Sequence, residues 1–150
     1  MVKMLLLQGA NMNWLGKREP EFYGTTTAAA LDSMLQAYAK KREFGLEIVY
    51  TNHEGEAIEH FYGATERGIN VIVMNPGGFS YSGYALRDCM KGISIPVVEL
   101  HMTNHYARSV HSVTASAARG VLMGFGVQTY FRAIDTALDV GAEDTGTEKR

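Results

Sequence analysis

The run Val71-Ile72-Val73-Met74 is apolar at every position, and Asn75-Pro76-Gly77-Gly78 follows it directly. A short apolar run without polar alternation is typical of a strand that is covered on both faces, as in a parallel sheet. Leu5-Leu6-Leu7, near the start of the chain, has the same character. These runs therefore predict buried parallel strands between layers of helices.

Amphipathic stretches alternate with the apolar runs. Apolar residues at spacings of three and four predict a helix over residues 26–44, which Thr26 or Thr27 caps and Gly45 ends. The other predicted helices cover residues 54–67, 83–91 and 127–140, and the other predicted strands cover 46–50, 96–100 and 121–125. Five strand–helix units in sequence predict an α/β sandwich with a five-stranded parallel sheet.

Length, charge and cysteine content bound the function. A chain of 150 residues without a linker or repeat predicts one domain over 1–140, and the Gly- and charge-rich segment 141–150 is expected to be a frayed tail. A net charge of −2 gives no basic surface for nucleic acid or an anionic membrane. The single cysteine, Cys89, excludes an internal disulfide and argues against a cysteine-based metal site. No apolar run approaches the roughly 18 residues of a membrane span, so we expect a cytoplasmic protein.

Polar residues follow three of the predicted strands. Asn11, Arg18 and Tyr23 follow the first strand, Asn75 follows the third, and His101 follows the fourth. In an open α/β sheet, ligands bind beyond the carboxyl ends of the strands. We therefore expect these side chains to meet in one crevice that binds a small molecule.

The segment Lys17-Arg18-Glu19-Pro20-Glu21-Phe22-Tyr23-Gly24 places an arginine five residues before a tyrosine on one loop. A neighbouring guanidinium stabilises the phenolate form of a tyrosine, and a phenolate is a base strong enough to remove a proton beside a carbonyl. The alternative is an exposed loop with a surface arginine and an aromatic anchor.

Glu99 and His101 lie two residues apart, so their side chains share one face of the fourth strand. A carboxylate that accepts a hydrogen bond from one ring nitrogen orients an imidazole and favours its protonated form, which is a general acid. The amides of Met102 and Thr103 follow and suit an anion. The alternative is an ion pair at the end of a strand. The loop that follows carries two further histidines within reach of the crevice, His105 and His111.

Several segments, in a fixed order, carry a family resemblance. They are Gly9-Ala10-Asn11-Met12-Asn13-Trp14-Leu15-Gly16, Arg18-Glu19-Pro20 with Tyr23-Gly24, Asn52-His53-Glu54-Gly55-Glu56, Met74-Asn75-Pro76-Gly77-Gly78, Ala85-Leu86-Arg87-Asp88, Glu99-Leu100-His101 with Asn104, and Gly120 through Gly126. Over residues 4–140 the chain resembles the type II 3-dehydroquinate dehydratases, which are small flavodoxin-like enzymes. The resemblance implies a flavodoxin-like three-layer sandwich, homotrimers that commonly assemble to a dodecamer, and no metal or organic cofactor.

The resemblance also implies a reaction, the anti elimination of water from 3-dehydroquinate to 3-dehydroshikimate through an enolate. This reaction serves the shikimate pathway or quinate catabolism. Tyr23 is then the base, its phenolate stabilised by Arg18 and Arg108, and His101, set by Glu99, is the acid. The other implied roles are Asn11 at the enolate, Asn75 with the amides of Met102 and Thr103 at the substrate carboxylate and leaving group, and Asp88 at a neighbouring subunit's site. The loop over 15–24 is expected to close as a lid.

The chain departs from the family pattern at two places near the substrate. Tyr81 stands where the family has a histidine that holds ring hydroxyls, and the segment after Arg108 is about three residues shorter and lacks a second arginine. His111 is expected to replace that arginine in part, although an imidazole lacks its fixed fork of donors. These departures leave open a related cyclic hydroxy-keto acid with a different hydroxyl pattern as the substrate.

Two other function classes are weaker interpretations. A flavin or receiver module of this fold needs a Ser/Thr/Gly-rich phosphate loop or an acidic pair after the first strand, and this chain has Gly-Ala-Asn-Met-Asn there. An inactive paralogue with an assembly or regulatory role is the other, and the retained base and acid candidates argue against it.

Overall fold

The computed structural model describes residues 1–144 and contains a five-stranded parallel sheet. The strands are β1 (Lys3–Ala10), β2 (Gly45–Tyr50), β3 (Val71–Gly77), β4 (Val97–His101) and β5 (Gly120–Met123). Their order across the sheet is β2-β1-β3-β4-β5, and each neighbouring pair is parallel. The predicted α/β class and five-stranded parallel sheet are confirmed.

Helices cover both faces of the sheet. They are α1 (Pro20–Tyr23), α2 (Ala28–Arg42), α3 (Glu54–Glu66), α4 (Phe79–Ser82), α5 (Tyr84–Gly92) and α6 (Gln128–Asp144). On β1, Met4 and Leu6 pack in the core shared with α2 and α6, whereas Leu5 and Leu7 pack in the core shared with α3 and α5. Successive residues of a strand point to opposite faces, so one apolar run serves two cores and the three-layer sandwich follows.

The helix boundaries differ from the predicted ones at two places. Thr27 caps α2 by accepting a hydrogen bond from the Ala30 amide, as predicted, but the helix ends at Arg42 because Glu43 takes the left-handed conformation with φ 57°. Gly45, predicted to end this helix, is instead the first residue of β2.

The C-terminal helix is longer than predicted. Residues 141–144 continue α6 rather than forming part of a frayed tail, and 145–150 lie outside the described residues. Gly141 is buried, and a Cβ there would lie 3.1 Å from side-chain carbons of Val2 and Val71. A glycine that would weaken an exposed helix therefore lets this one pack closely against the sheet.

Glycines let the carboxyl ends of the two central strands approach closely. Gln8 lies opposite Asn75, and Ala10 lies opposite Gly77. A Cβ at Gly9 would lie 2.1 Å from the Pro76 carbonyl oxygen, so no other residue fits there. Gly77 has φ 54°, a left-handed conformation that favours glycine, and a Cβ there would lie 2.3 Å from the carbonyl oxygen of Ala10 on β1. The polar residues that follow the two strands are brought together at this edge.

Among the helices of residues 1–144, none is long and apolar enough to cross a membrane.

Candidate active site

A cavity of about 280 Å³ lies at the carboxyl ends of β1, β3 and β4. Most of the side chains predicted for the site lie in its wall. They are Asn11, Arg18, Tyr23, Asn75, Tyr81, His101, Met102, Thr103 and Arg108. Glu99 lies directly behind the wall and is fully buried. The convergence predicted from the strand ends is therefore present in the structure.

Tyr23 lies at the end of α1, on the loop that follows β1, and its hydroxyl is in contact with Arg108. Nη1 of Arg108 donates a hydrogen bond to this hydroxyl at 3.2 Å and another to Thr103 Oγ1 at 3.0 Å. The hydrogen bond to Tyr23 is the main reason that the pKa of Arg108 is raised, so this guanidinium keeps its charge. The fold thus places the Arg108 cation at the hydroxyl oxygen of Tyr23, the candidate base, although the two residues are distant in sequence.

Arg18 contacts Tyr23 differently. Its guanidinium carbon lies 5.1 Å from the centroid of the Tyr23 ring, and one of its nitrogens lies 3.9 Å from a Glu19 carboxylate oxygen. The guanidinium carbon of Arg108 lies 4.4 Å from the centroid of the Phe22 ring. Arg18 therefore packs over the ring of Tyr23, whereas Arg108 is hydrogen-bonded to the Tyr23 hydroxyl.

The candidate acid is held by a buried carboxylate. Nε2 of His101 lies 2.7 Å from Oε2 of Glu99, and Ser112 Oγ donates to the same oxygen at 2.8 Å. Thr114 Oγ1 donates to the other carboxylate oxygen. Three hydrogen bonds satisfy a carboxylate that water does not reach, and they fix its plane. Nδ1 is then the His101 nitrogen that Glu99 leaves free for the cavity.

Asn75 is oriented by partners on two elements. Its Oδ1 accepts from the Gly77 amide at 3.1 Å, and its Nδ2 donates to the Tyr130 hydroxyl at 2.8 Å. That hydroxyl donates in turn to Gln8 Oε1 at 2.9 Å. Tyr130 and Gln8 are both fully buried, and burial is the main cause of the raised pKa of Tyr130, which stays protonated. The amide of Asn75 is therefore held with one Nδ2 hydrogen left over.

Asn11 lies where β1 gives way to the loop. It has a left-handed conformation with φ 73°, which asparagine tolerates better than most residues. Its backbone amide donates to Oδ1 of Asn52, two residues after the end of β2, at 2.8 Å. The segment after β2 thus fixes the backbone that presents the Asn11 side chain to the cavity.

The three other residues predicted to bind substrate, Tyr81, Asp88 and His111, differ in their position relative to the cavity. Tyr81, on α4, is in the wall but 63% exposed. Asp88, on α5, is exposed and is absent from the wall of its own chain's cavity. His111 is exposed and is not among the residues of the wall, so its role as a partial replacement for a family arginine stays a prediction.

His105, which was predicted to lie within reach of the crevice, is in the wall. Its ring centroid lies 3.8 Å from that of His101, and the side chain is buried. Burial lowers the pKa of His105 to about 4, helped by the neighbouring His101 and Arg108. A neutral imidazole therefore packs against the candidate acid at neutral pH.

The family model described as Dehydroquinase class II matches residues 2–138, which include every residue of this cavity. The chain belongs to the dehydroquinase class II family. The match includes the carboxyl ends of β1, β3 and β4 and the loops that follow them, so the matched residues and the cavity are the same part of the chain.

Named relatives agree with this assignment. A "3-dehydroquinate dehydratase" of Thermus thermophilus is 42% identical over 146 residues, which cover 93% of this chain and 98% of that protein. One of Bacillus licheniformis is 44% identical over 137 residues, covering 89% and 94%. The crystal structure of a type II dehydroquinase from Butyrivibrio crossotus is 34% identical with a TM-score of 0.86, covering 91% of this chain and 97% of the other. The flavodoxin-like fold that the resemblance implied is therefore confirmed.

Among the described residues, no group of three or more His, Cys, Asp or Glu side chains is arranged to hold a metal ion.

Proposed function

We propose that this dehydroquinase family member is a hydro-lyase that removes water from 3-dehydroquinate to give 3-dehydroshikimate. The observation that carries the proposal is the pairing of Tyr23 with Arg108 and of His101 with Glu99 at one cavity. An elimination needs one group to take a proton and another to give one, and these pairs are suited to the two tasks. The family match to residues 2–138 supports 3-dehydroquinate as the substrate.

The proton transfers follow from the two pairs. The phenolate of Tyr23 removes a proton from the carbon beside the ring ketone, and the electron pair moves onto the ketone oxygen as an enolate. When the carbonyl re-forms, the electrons expel the hydroxyl on the next carbon, and His101 protonates it as it leaves as water. Tyr23 then returns its proton to solvent, and His101 takes one up from solvent.

Arg108 and Glu99 make these transfers possible. The cation at 3.2 Å stabilises the phenolate of Tyr23 more strongly than an uncharged hydrogen-bond donor does. Glu99 orients His101 and balances the charge of its protonated ring. Both partners act on the reacting group by positioning and electrostatics, Arg108 from the cavity wall and Glu99 from behind it.

The other wall residues suit the ends of a ring acid. Asn75 offers its remaining amide hydrogen, and with the amides of Met102 and Thr103 it binds the substrate carboxylate and leaving group. Asn11 holds a water at the enolate oxygen. The loop over 15–24, which carries Arg18 and Tyr23, closes over the bound substrate and excludes bulk water.

A second candidate substrate is a related cyclic hydroxy-keto acid. Tyr81 is largely exposed, and His111 lies outside the wall, so the hydroxyl-binding side of the cavity differs from that of the family pattern. A site that lacks the partner of a substrate hydroxyl loses much of its ability to require it. The proton-transfer residues are the same for both substrates.

Assembly and location belong to the same proposal. Asp88 is exposed on α5 and absent from the cavity of its own chain, which suits a contact with a neighbouring subunit in a homotrimer. Such trimers assemble to a dodecamer in the family. We propose this assembly, a single catalytic domain and a cytoplasmic location.

The growth of absorbance from the conjugated enone product tests the proposal. Wild type is compared with Tyr23→Phe and His101→Ala on 3-dehydroquinate and on ring keto-acids with fewer hydroxyls. We expect turnover of 3-dehydroquinate that is lost in both variants and kept in Tyr38→Phe, a tyrosine that contacts α6 instead. Preference for a less hydroxylated acid would favour the second substrate, and a folded wild type that turns over none of them would favour the inactive paralogue.

A further inference from the structure

Three buried side-chain atoms of the described chain lack a hydrogen-bond partner, namely Gln8 Nε2, Ser80 Oγ and His105 Nδ1. Two of these, Ser80 and His105, belong to residues in the wall of the cavity. A buried polar atom without a partner destabilises the fold, and native structures contain few of them. Two in one cavity wall therefore point to a polar partner inside the cavity.

His105 reaches the wall through a short 3₁₀ helix, His105–Arg108. Residues three apart on a 3₁₀ helix lie on the same side of it. Its first residue packs against His101, with ring centroids 3.8 Å apart, while its last residue donates to the hydroxyl of Tyr23. One turn of chain thus serves both the candidate acid and the candidate base.

His105 stays uncharged next to this acid. Its side chain is only 8% exposed, and burial, His101 and Arg108 together lower its pKa to about 4. A neutral imidazole has one nitrogen that donates and one that accepts. It can therefore pair with a hydroxyl, which also donates and accepts.

Ser80 is held firmly by its backbone while its hydroxyl is unpaired. Its carbonyl oxygen accepts from the Val113 amide at 2.8 Å, and the residue is 2% exposed. Val113 lies between Ser112 and Thr114, both of which donate to Glu99. The backbone of Ser80 is therefore tied to the same loop that fixes the acid, and rotation about χ1 redirects its hydroxyl without moving that backbone.

We propose that His105 and Ser80 are further substrate-binding residues of this cavity, and that they hold hydroxyl groups of the bound ring acid. The proposal rests on the dehydratase function and assigns the binding of hydroxyls to residues other than Tyr81 and His111. Rotation about χ2 of His105 and χ1 of Ser80 turns their unpaired atoms toward a ligand. Because His105 packs against His101, we expect it to hydrogen-bond the substrate hydroxyl that His101 protonates.

The test uses substitutions that keep the packing and remove the unpaired atom. His105→Phe keeps a flat ring against His101, and Ser80→Ala removes only the hydroxyl. We expect each to lower kcat/KM for 3-dehydroquinate about tenfold or more while the melting temperature stays the same or rises. His105→Asn, which keeps a polar atom close to the position of Nδ1, should retain more activity than His105→Phe.

The stability readout separates binding from packing, because a packing residue would lose stability and activity together. Tyr38→Phe serves as a control outside the site. Wild-type kcat/KM in His105→Phe and Ser80→Ala, or a loss of activity matched by a fall in melting temperature, would overturn the proposal. A loss in only one variant would overturn the role of the other residue. A wild type that turns over no ring acid would overturn the dehydratase function, and this inference with it.

Discussion

Arg108 donates a hydrogen bond to the Tyr23 hydroxyl across 85 positions of sequence, with a distance of 3.2 Å. The bond joins the loop after β1 to the turn after β4, so the cation meets the candidate base only when this loop lies over the cavity. Arg18, five residues from Tyr23, packs over the ring instead. Loop position and base activation are thereby linked through one contact.

Arg108→Lys should lower kcat about tenfold to a hundredfold. A lysine keeps the charge but cannot donate to Tyr23 and Thr103 with the fixed geometry of a guanidinium. Steady-state kinetics of this variant and of Arg18→Lys provide the comparison. A larger loss in Arg18→Lys would show that the ring contact, rather than the hydroxyl contact, stabilises the base.

Glu99→Gln should lower kcat about a hundredfold and also destabilise the fold. The neutral amide loses the charge that pairs with His101, and its NH₂ group faces the Ser112 or Thr114 hydroxyl, which donates to a carboxylate oxygen in wild type. Rapid-quench kinetics and thermal unfolding measure the two effects. Glu47→Gln, which breaks a surface pair with Arg67, is the matched control and should change neither by much. An active Glu99→Gln enzyme would refute the role of Glu99 in setting the acid.

Tyr130→Phe should lower kcat/KM about tenfold, because Asn75 loses the hydroxyl that orients its amide. The effect should vanish in an Asn75→Ala background, since a residue that acts only through Asn75 has nothing left to position. Tyr38→Phe is the control. The Tyr38 hydroxyl contacts Asp135, which lies on the same helix as Tyr130, and its removal should leave kcat/KM unchanged. Additive losses from Tyr130→Phe and Asn75→Ala would mean that the network acts on the fold as a whole.

Acid should weaken the fold through His105. A free histidine has a pKa near 6.5, and burial lowers the pKa of His105 to about 4 in the folded chain. As the pH falls, the unfolded chain therefore binds a proton at this histidine before the folded chain does. The free energy of unfolding is unaffected by this group above about pH 6.5, and it decreases as the pH falls toward 4. Urea midpoints at pH 7 and pH 4.5 should fall less in His105→Phe than in wild type. The difference amounts to a few kcal/mol at most, since one pKa unit is worth about 1.4 kcal/mol. An equal fall in both would show that His105 titrates normally.

The sequence was sufficient for the sheet and for most of the cavity wall. The apolar run at 71–74 predicted a strand buried on both faces, and the rule that ligands bind at strand ends brought Asn11, Asn75 and His101 together. These inferences succeed because they depend on local pattern and on the fixed direction of parallel strands.

The partners behind the wall could not be predicted in this way. Ser112 and Thr114 are an ordinary serine and threonine in a loop, and only the folded chain brings them to Glu99. Tyr130 lies 122 positions from Gln8, with which it shares a hydrogen bond. Such pairings depend on three-dimensional distance, which spacing along a chain does not encode.

The extent of α6 was missed for a related reason. Gly141 indicates the end of a helix when only the chain is considered. In the structure the helix continues to Asp144, because the missing side chain of that glycine makes room for Val2 and Val71. Packing here outweighs the helix propensity of a single residue.

The fate of a stereospecific deuterium label tests the central claim most directly. The substrate is 3-dehydroquinate with deuterium on the carbon between the ketone and the carbon that bears the departing hydroxyl, and the product is analysed by mass spectrometry. If Tyr23 removes the proton and His101 protonates the leaving group in an anti elimination, wild type will lose the deuterium that is anti to the hydroxyl and retain the other. Loss of the syn deuterium, or no turnover by a correctly folded protein, would contradict the account.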